Sequence, residues 1–151
     1  MTRIEQILVP TDFSSYATEA LKEAVYLAQN LKAKITLLHV FESLFPYTPP
    51  PSRGPHAGAY QWLQNLKREQ EEELRAAAEI VRKEGVEVAP LFKEGLAHVE
   101  IIRTAQEINA DLIALGTHGK KGLTHLLLGS VTERVTREAP CPVLIVREKK
   151  G

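Results

Sequence analysis

The sequence predicts an α/β fold: a parallel sheet with helices on both faces. Three observations carry this. Ile7-Leu8-Val9, Leu112–Leu115 and Val143–Val146 are apolar without polar alternation, as strands buried on both faces are. Between such runs, apolar residues recur at the 3.6-residue helical period. The length, 151 residues, fits one domain (1–151), since domains cluster at about 100–150 residues, and no internal repeat divides it. Short apolar strands alternating with amphipathic helices imply βαβ units.

The elements follow in order. Ile7–Val9 reads as a buried strand stopped by Pro10. Pro10-Thr11-Asp12-Phe13-Ser14-Ser15 is a loop in which Ser14 or Ser15 can cap a helix. That helix carries Ala17, Ala20, Leu21, Ala24, Leu27, Ala28 and Leu31 on one stripe. Ile35–Val40 is a second strand. Residues 42–61 hold five prolines, Pro46, Pro49, Pro50, Pro51 and Pro55, with Gly54 and Gly58. Ring-locked residues without N–H donors at that density predict a variable Pro-rich loop.

A long helix is expected over Trp62–Glu84, burying Leu63, Leu66, Leu74, Ala77, Ala78 and Val81. Gly85 suits its C-terminus. Val86–Phe92 is a third strand and Val99–Ile108 a helix with Ile101, Ile102, Ala105 and Ile108 inward. Asp111–Leu115 is a fourth strand ending at Gly116, Ser130–Glu138 a helix, and Val143–Val146 a fifth strand. Ligands of open parallel sheets bind at the carboxyl ends of the strands, so the loops after Val9, Val40, Phe92 and Leu115 are the places to look.

Composition removes whole classes. Lys and Arg number 19 against 19 Asp and Glu, which argues against a generic nucleic-acid binder and against a membrane-surface patch. One cysteine, Cys141, excludes an internal disulfide and a multi-cysteine zinc cluster. It reads as a small buried hydrophobe. No apolar run approaches the ~18–20 residues that span a bilayer, and the first residues lack the apolar stretch of a signal peptide. The cytoplasm is the expected location.

The strongest chemical pattern follows the fourth strand. Gly116-Thr117-His118-Gly119 is a glycine-x-x-glycine step, followed after nine residues by Gly129-Ser130 at the start of a helix. Glycines admit positive φ and close approach of backbone to an anion, and a helix N-terminus favours negative charge. From Gly116 to Ser130 there are two lysines, Lys120 and Lys121, and no acid. The neutral chain is therefore locally positive where an anion would sit. Lys67–Glu84 holds six acids against five bases and reads as a solvated helix face with pairs such as Glu71–Arg75 and Glu79–Lys83. His39, His118 and His125 have no i, i+4 zinc spacing. His39, at a strand end, reads as structural, and His118 can donate to a phosphate. Asp12 can cap the first helix.

The segment from Gly116 to Val146 resembles the universal stress protein family, with that family's G-x-x-G, nine residues, G-[ST] motif complete. The resemblance continues in Val131-Thr132-Glu133-Arg134-Val135, in Ala139–Arg147, in Ile7–Ser14 and in Leu37-Leu38-His39-Val40, and covers essentially the whole chain outside residues 42–61. It implies an open five-stranded sheet in the order 3-2-1-4-5, the adenine nucleotide alpha hydrolase-like arrangement, with Asp12 and Gly116 facing across one crevice.

The resemblance also implies the ATP-binding branch of the family, with ATP, or AMP or ADP, and Mg²⁺ as cofactors. Pro10, Thr11 and Asp12 would line the adenosine side, and Val40 would meet adenine through its backbone. Gly116, His118 and Gly119 would wrap the phosphates. Gly129, Ser130, Val131 and Thr132 would hold them with N–H and hydroxyl groups. The implied activity is a stress-linked regulator or switch without catalytic residues. The alternatives are a slow ATPase or phosphotransferase, and a nucleotide-free dimeric scaffold. Family members are homodimers, and Val143–Val146 would lie at an open sheet edge that pairing would cover. The 42–61 stretch reads either as a lid, with Tyr47, Tyr60 or Trp62 as an aromatic face, or as a surface loop.

Overall fold

The computed structural model describes residues 3–42, 54, 57–120 and 127–148. The elements run β1 (Gln6–Pro10), α1 (Ser15–Leu31), β2 (Lys34–Phe41), α2 (Ala57–Lys83), β3 (Val88–Glu94), α3 (Ala97–Glu107), β4 (Leu112–Gly116), α4 (Ser130–Glu138) and β5 (Val143–Val146). The strands form one five-stranded sheet in the order β3-β2-β1-β4-β5. Every pairing is parallel.

Strand periodicity divides the core into two layers, because successive side chains point to opposite faces. Ile7, Val9, Ile35, Leu37, Leu112 and Ala114 face α1 and α2 together with Ala24, Ala28, Leu74, Ala78 and Val81. Leu8, Leu38, Ile113 and Leu115 face α3 and α4 with Ile101, Ala105 and Val135. Ile7, Leu8, Ile35, Leu37, Leu38 and Ile113 are wholly buried, each worth about 1.5–3 kcal/mol over exposure. Both faces need apolar residues, which is why these strands show no alternation in the sequence.

Local chemistry sets the helix ends. Ser14 caps α1, its hydroxyl accepting the Ala17 N–H at 3.2 Å. Lys32 closes the same helix at φ 56° without a glycine. Gly85, just past α2, takes φ 81°, a conformation that costs glycine nothing.

Several expected boundaries move. The α2 helix begins at Ala57, so Ala57–Gln61 is helical rather than part of the irregular stretch; Pro55 is the last proline of that stretch, and none follows before the end of α2. The third strand spans Val88–Glu94 rather than Val86–Phe92, because it follows β2 in register from Ile35↔Val88 to Phe41↔Glu94. On α2, Glu71 pairs with Arg75 as expected, but Glu79 pairs with Arg82 rather than Lys83. Tyr47, Lys121, Gly122 and His125 lie outside the described residues.

Candidate functional site

The strand order turns back between β1 and β4. Open parallel sheets bind ligands outside the carboxyl ends of the strands at that point. The Thr11–Ser14 loop, the Thr117–Lys120 loop and the N-terminus of α4 meet there.

The first loop is a tight, bonded turn. The Thr11 N–H donates to the Leu38 carbonyl at 2.8 Å, and the Phe13 N–H to Thr11 Oγ1 at 3.0 Å. The Ser14 N–H donates to Asp12 Oδ1 at 3.0 Å. These bonds hold Phe13 at φ 66°, a conformation that costs a non-glycine residue about 1–3 kcal/mol. The other oxygen of Asp12 crosses the crevice and accepts the Lys120 N–H at 2.8 Å. One carboxylate thus ties the β1 loop to the β4 loop.

β2 contributes backbone. The Leu38 carbonyl points toward β1, where it accepts from Thr11. Two residues on, Val40 directs its N–H and C=O to the same side, and there β1 has already ended, at Pro10. The odd-numbered neighbours Ile35 and Phe41 bond toward β3 instead. By this alternation the Val40 N–H and C=O face the Asp12 side of the crevice, beyond the end of β1.

The glycine motif folds back on itself. The Gly129 N–H donates to the Thr117 carbonyl at 2.8 Å, and the Thr132 hydroxyl to the Gly116 carbonyl at 2.8 Å. These two bonds bring Gly116–Gly119 against the start of α4. Gly129 is the N-cap and supplies no side-chain cap. The first-turn N–H groups of Ser130, Val131 and Thr132 have no intrahelical acceptor, and Ser130 is exposed. His118 Nδ1 lies 3.0 Å from Thr117 Oγ1, and its ring sits 5.4 Å from that of Tyr16. Lys120 holds its ammonium 5.8 Å above the Phe13 ring.

Two expectations change here. Gly116, Gly119 and Gly129 do not occupy positive φ; close contact is what excludes a side chain. A Cβ on Gly116 would stand 2.7 Å from the Tyr16 backbone carbon, one on Gly119 2.5 Å from Asp12 Oδ2, and one on Gly129 3.1 Å from His118 Cα. Gly116 is buried beneath the first turn of α1, so Asp12 meets Gly119 and Lys120 rather than Gly116. The Thr132 hydroxyl, donated to Gly116, leaves that residue its backbone N–H to offer.

Tyr16 and Gln70 escaped the sequence reading. Only the strand-ending glycine hinted at a helix pressed on it, and nothing local marks Gln70 among the charged residues of α2. Trp62 is 58% exposed on α2. Cys141 is half-buried, and burial, then the charge of Asp111, raise its thiol above the ordinary range. No group of three or more His, Cys, Asp or Glu is poised for a metal among the described residues. No described helix is long and apolar enough to cross a membrane.

Comparison with known proteins agrees with this fold. Universal stress protein MJ0531 of Methanocaldococcus jannaschii is 35% identical over 147 residues, covering 97% of this chain and 84% of that protein. The structure of universal stress protein UspA from Lactobacillus plantarum superposes with a TM-score of 0.81 at 27% identity, over 97% of this chain and all of that one. A universal stress protein from Archaeoglobus fulgidus, solved in complex with dAMP, shares the fold at TM-score 0.63 and 22% identity, over 96% and 98% of the two chains. Residues 3–147 match the universal stress protein family, and the chain belongs to that family.

Proposed function

We propose that this chain binds ATP in the crevice between the Thr11–Ser14 loop and the start of α4, and serves as a cytoplasmic stress-linked switch. The observation that carries this reading is the N-terminus of α4, without a side-chain cap among the described residues and held beside the folded glycine motif by the Gly129–Thr117 and Thr132–Gly116 bonds. Backbone N–H groups and the helix dipole there favour an anion. Gly119, Gly129, Ser130, Val131 and Thr132 hold the phosphates, with His118 beside them. Gly116 acts through packing, letting the loop sit low on α1. Pro10, Thr11, Asp12 and the Val40 backbone line the nucleoside side. The dAMP complex of the Archaeoglobus relative supports the choice of an adenine nucleotide.

Mg²⁺ fits as a companion of the phosphates rather than a resident of the protein. Mg²⁺ bound with phosphates needs only one or two carboxylates, and Asp12 places a carboxylate between the two loops of this crevice. Both its oxygens already accept N–H bonds.

The chain pairs with a second copy through Val143–Val146. Among the described residues this strand bonds only to β4, and its residues are half-buried, an open edge of the kind that proteins cover.

Denaturing the purified protein and analysing the supernatant by mass spectrometry tests the nucleotide reading. Stoichiometric ATP, ADP or AMP supports it. Protein that carries no nucleotide and takes up none from a millimolar solution rejects it.

A further inference from the structure

We propose that His39 positions the Thr11–Asp12 peptide for the ligand, and that it does so with its proton on Nδ1. The proposal rests on the nucleotide-binding reading and adds a residue outside the crevice lining.

His39 stands where the strand pattern calls for a hydrophobe. Ile35, Leu37 and Phe41, its alternating neighbours on β2, are all buried. His39 is only 6% exposed, its ring 4.5 Å from that of Phe13 and 5.5 Å from that of Phe92. A polar ring in such a place costs stability unless both nitrogens are bonded. Both are. Nδ1 lies 2.7 Å from the Thr11 carbonyl oxygen and Nε2 lies 2.6 Å from Gln70 Oε1.

The chemistry fixes one proton. A peptide carbonyl only accepts, so Nδ1 must be the donor to Thr11. In a neutral ring Nε2 is then the acceptor, and Gln70 must present its NH₂, a half-turn of the amide that exchanges its oxygen and nitrogen positions. In an imidazolium, Gln70 Oε1 accepts as placed. Either way Nδ1 carries a proton and Gln70 on α2 occupies the other nitrogen.

The consequence falls on the crevice. The Thr11 N–H is held by Leu38 and the Thr11 carbonyl by His39, so β2 grips this residue at both ends. Asp12 follows directly, with its carboxylate on Ser14 and Lys120. Losing the His39 bond frees the Thr11–Asp12 peptide to rotate, and Asp12 loses its fixed aim. Because Gln70 belongs to α2, the position of that helix is also felt at the ligand loop.

The test combines His39→Phe, which keeps ring volume and loses both bonds, with His39→Asn, whose amide nitrogen can take the place of Nδ1. Gln70→Leu removes only the outer bond. His39→Phe should weaken ATP binding by about tenfold or more, the value of one buried hydrogen bond lost. His39→Asn should recover most of that affinity, a rescue that mere packing does not explain. Nitrogen-15 NMR of the unaltered protein should find a proton on His39 Nδ1, and exchange of the Phe13 and Ser14 amides should quicken in His39→Phe while that of Leu8 does not. A ring protonated on Nε2 alone, or His39→Phe binding ATP as the parent does, overturns the proposal. If the parent binds no nucleotide, the functional reading fails, and the NMR and exchange measurements, which need no ligand, still decide the role of His39.

Discussion

Asp12 Oδ2 and Gly119 are in contact so close that no side chain can enter between them. A Cβ on Gly119 would stand 2.5 Å from that oxygen, which accepts the Lys120 N–H at 2.8 Å. The glycine is therefore required by the carboxylate, and the carboxylate joins the two loops of the crevice.

Gly119→Ala should accordingly break this junction. The Asp12 side chain must swing away and give up the Lys120 bond, a charge-assisted contact worth about 1.5–3 kcal/mol. ATP affinity should fall by about tenfold or more, measured by calorimetry, while circular dichroism stays that of the parent. In the Asp12→Ala background the same alanine meets no carboxylate, so the two losses should combine to less than their sum.

Gly116→Ala should behave differently. Its Cβ would meet Tyr16 backbone atoms at 2.7 Å, and backbone gives way less readily than a side-chain tip. Overpacking of this kind costs about 1–3 kcal/mol. Thermal unfolding should show Tm lowered by about 5 °C, whether or not nucleotide is present. Glycines of one motif thus divide into a packing residue and a ligand-loop residue.

Ile145→Pro should separate two subunits without unravelling the sheet. The Ile113 N–H donates to the Pro142 carbonyl at 3.0 Å, so by alternation Pro142, Leu144 and Val146 bond toward β4. Val143 and Ile145 turn their backbone groups to the open edge. Proline at 145 removes an outward N–H and spares the ladder with β4. Light scattering should give a dimer for the parent and a monomer for the variant. A monomeric parent at micromolar concentration would refute the proposed pairing.

Cys141 should be a slow thiol. Burial, then the charge of Asp111, raises its pKa, so the thiolate fraction at neutral pH is below that of an exposed cysteine. Alkylation should be slower than that of glutathione at pH 7 and should keep rising with pH above the ordinary thiol range of about 8.5. A pH profile levelling below that range would contradict this.

Much of this was legible in the residues. Unalternating apolar runs such as Ile7–Val9 announced strands buried on both faces, and the Gly129-Ser130 pair marked the start of α4. What stayed hidden depends on distance in space. Lys32 closes α1 at positive φ without a glycine, which no local preference foretells. β3 takes its span from its partner strand. His39 read as a structural strand-end residue, because Gln70 lies 31 positions away. The need for glycine at 116 and 119 was readable, but its cause was not: Tyr16 and Asp12 fill the space, and contact rather than backbone freedom sets the requirement.

Calorimetric titration of the nucleotide-free protein with Mg·ATP reads nucleotide binding in the crevice itself. Saturable binding of one nucleotide per chain is expected, reduced in Gly119→Ala and retained in Ile145→Pro. No saturable heat at millimolar ATP, from protein shown to be folded and free of bound nucleotide, would contradict it.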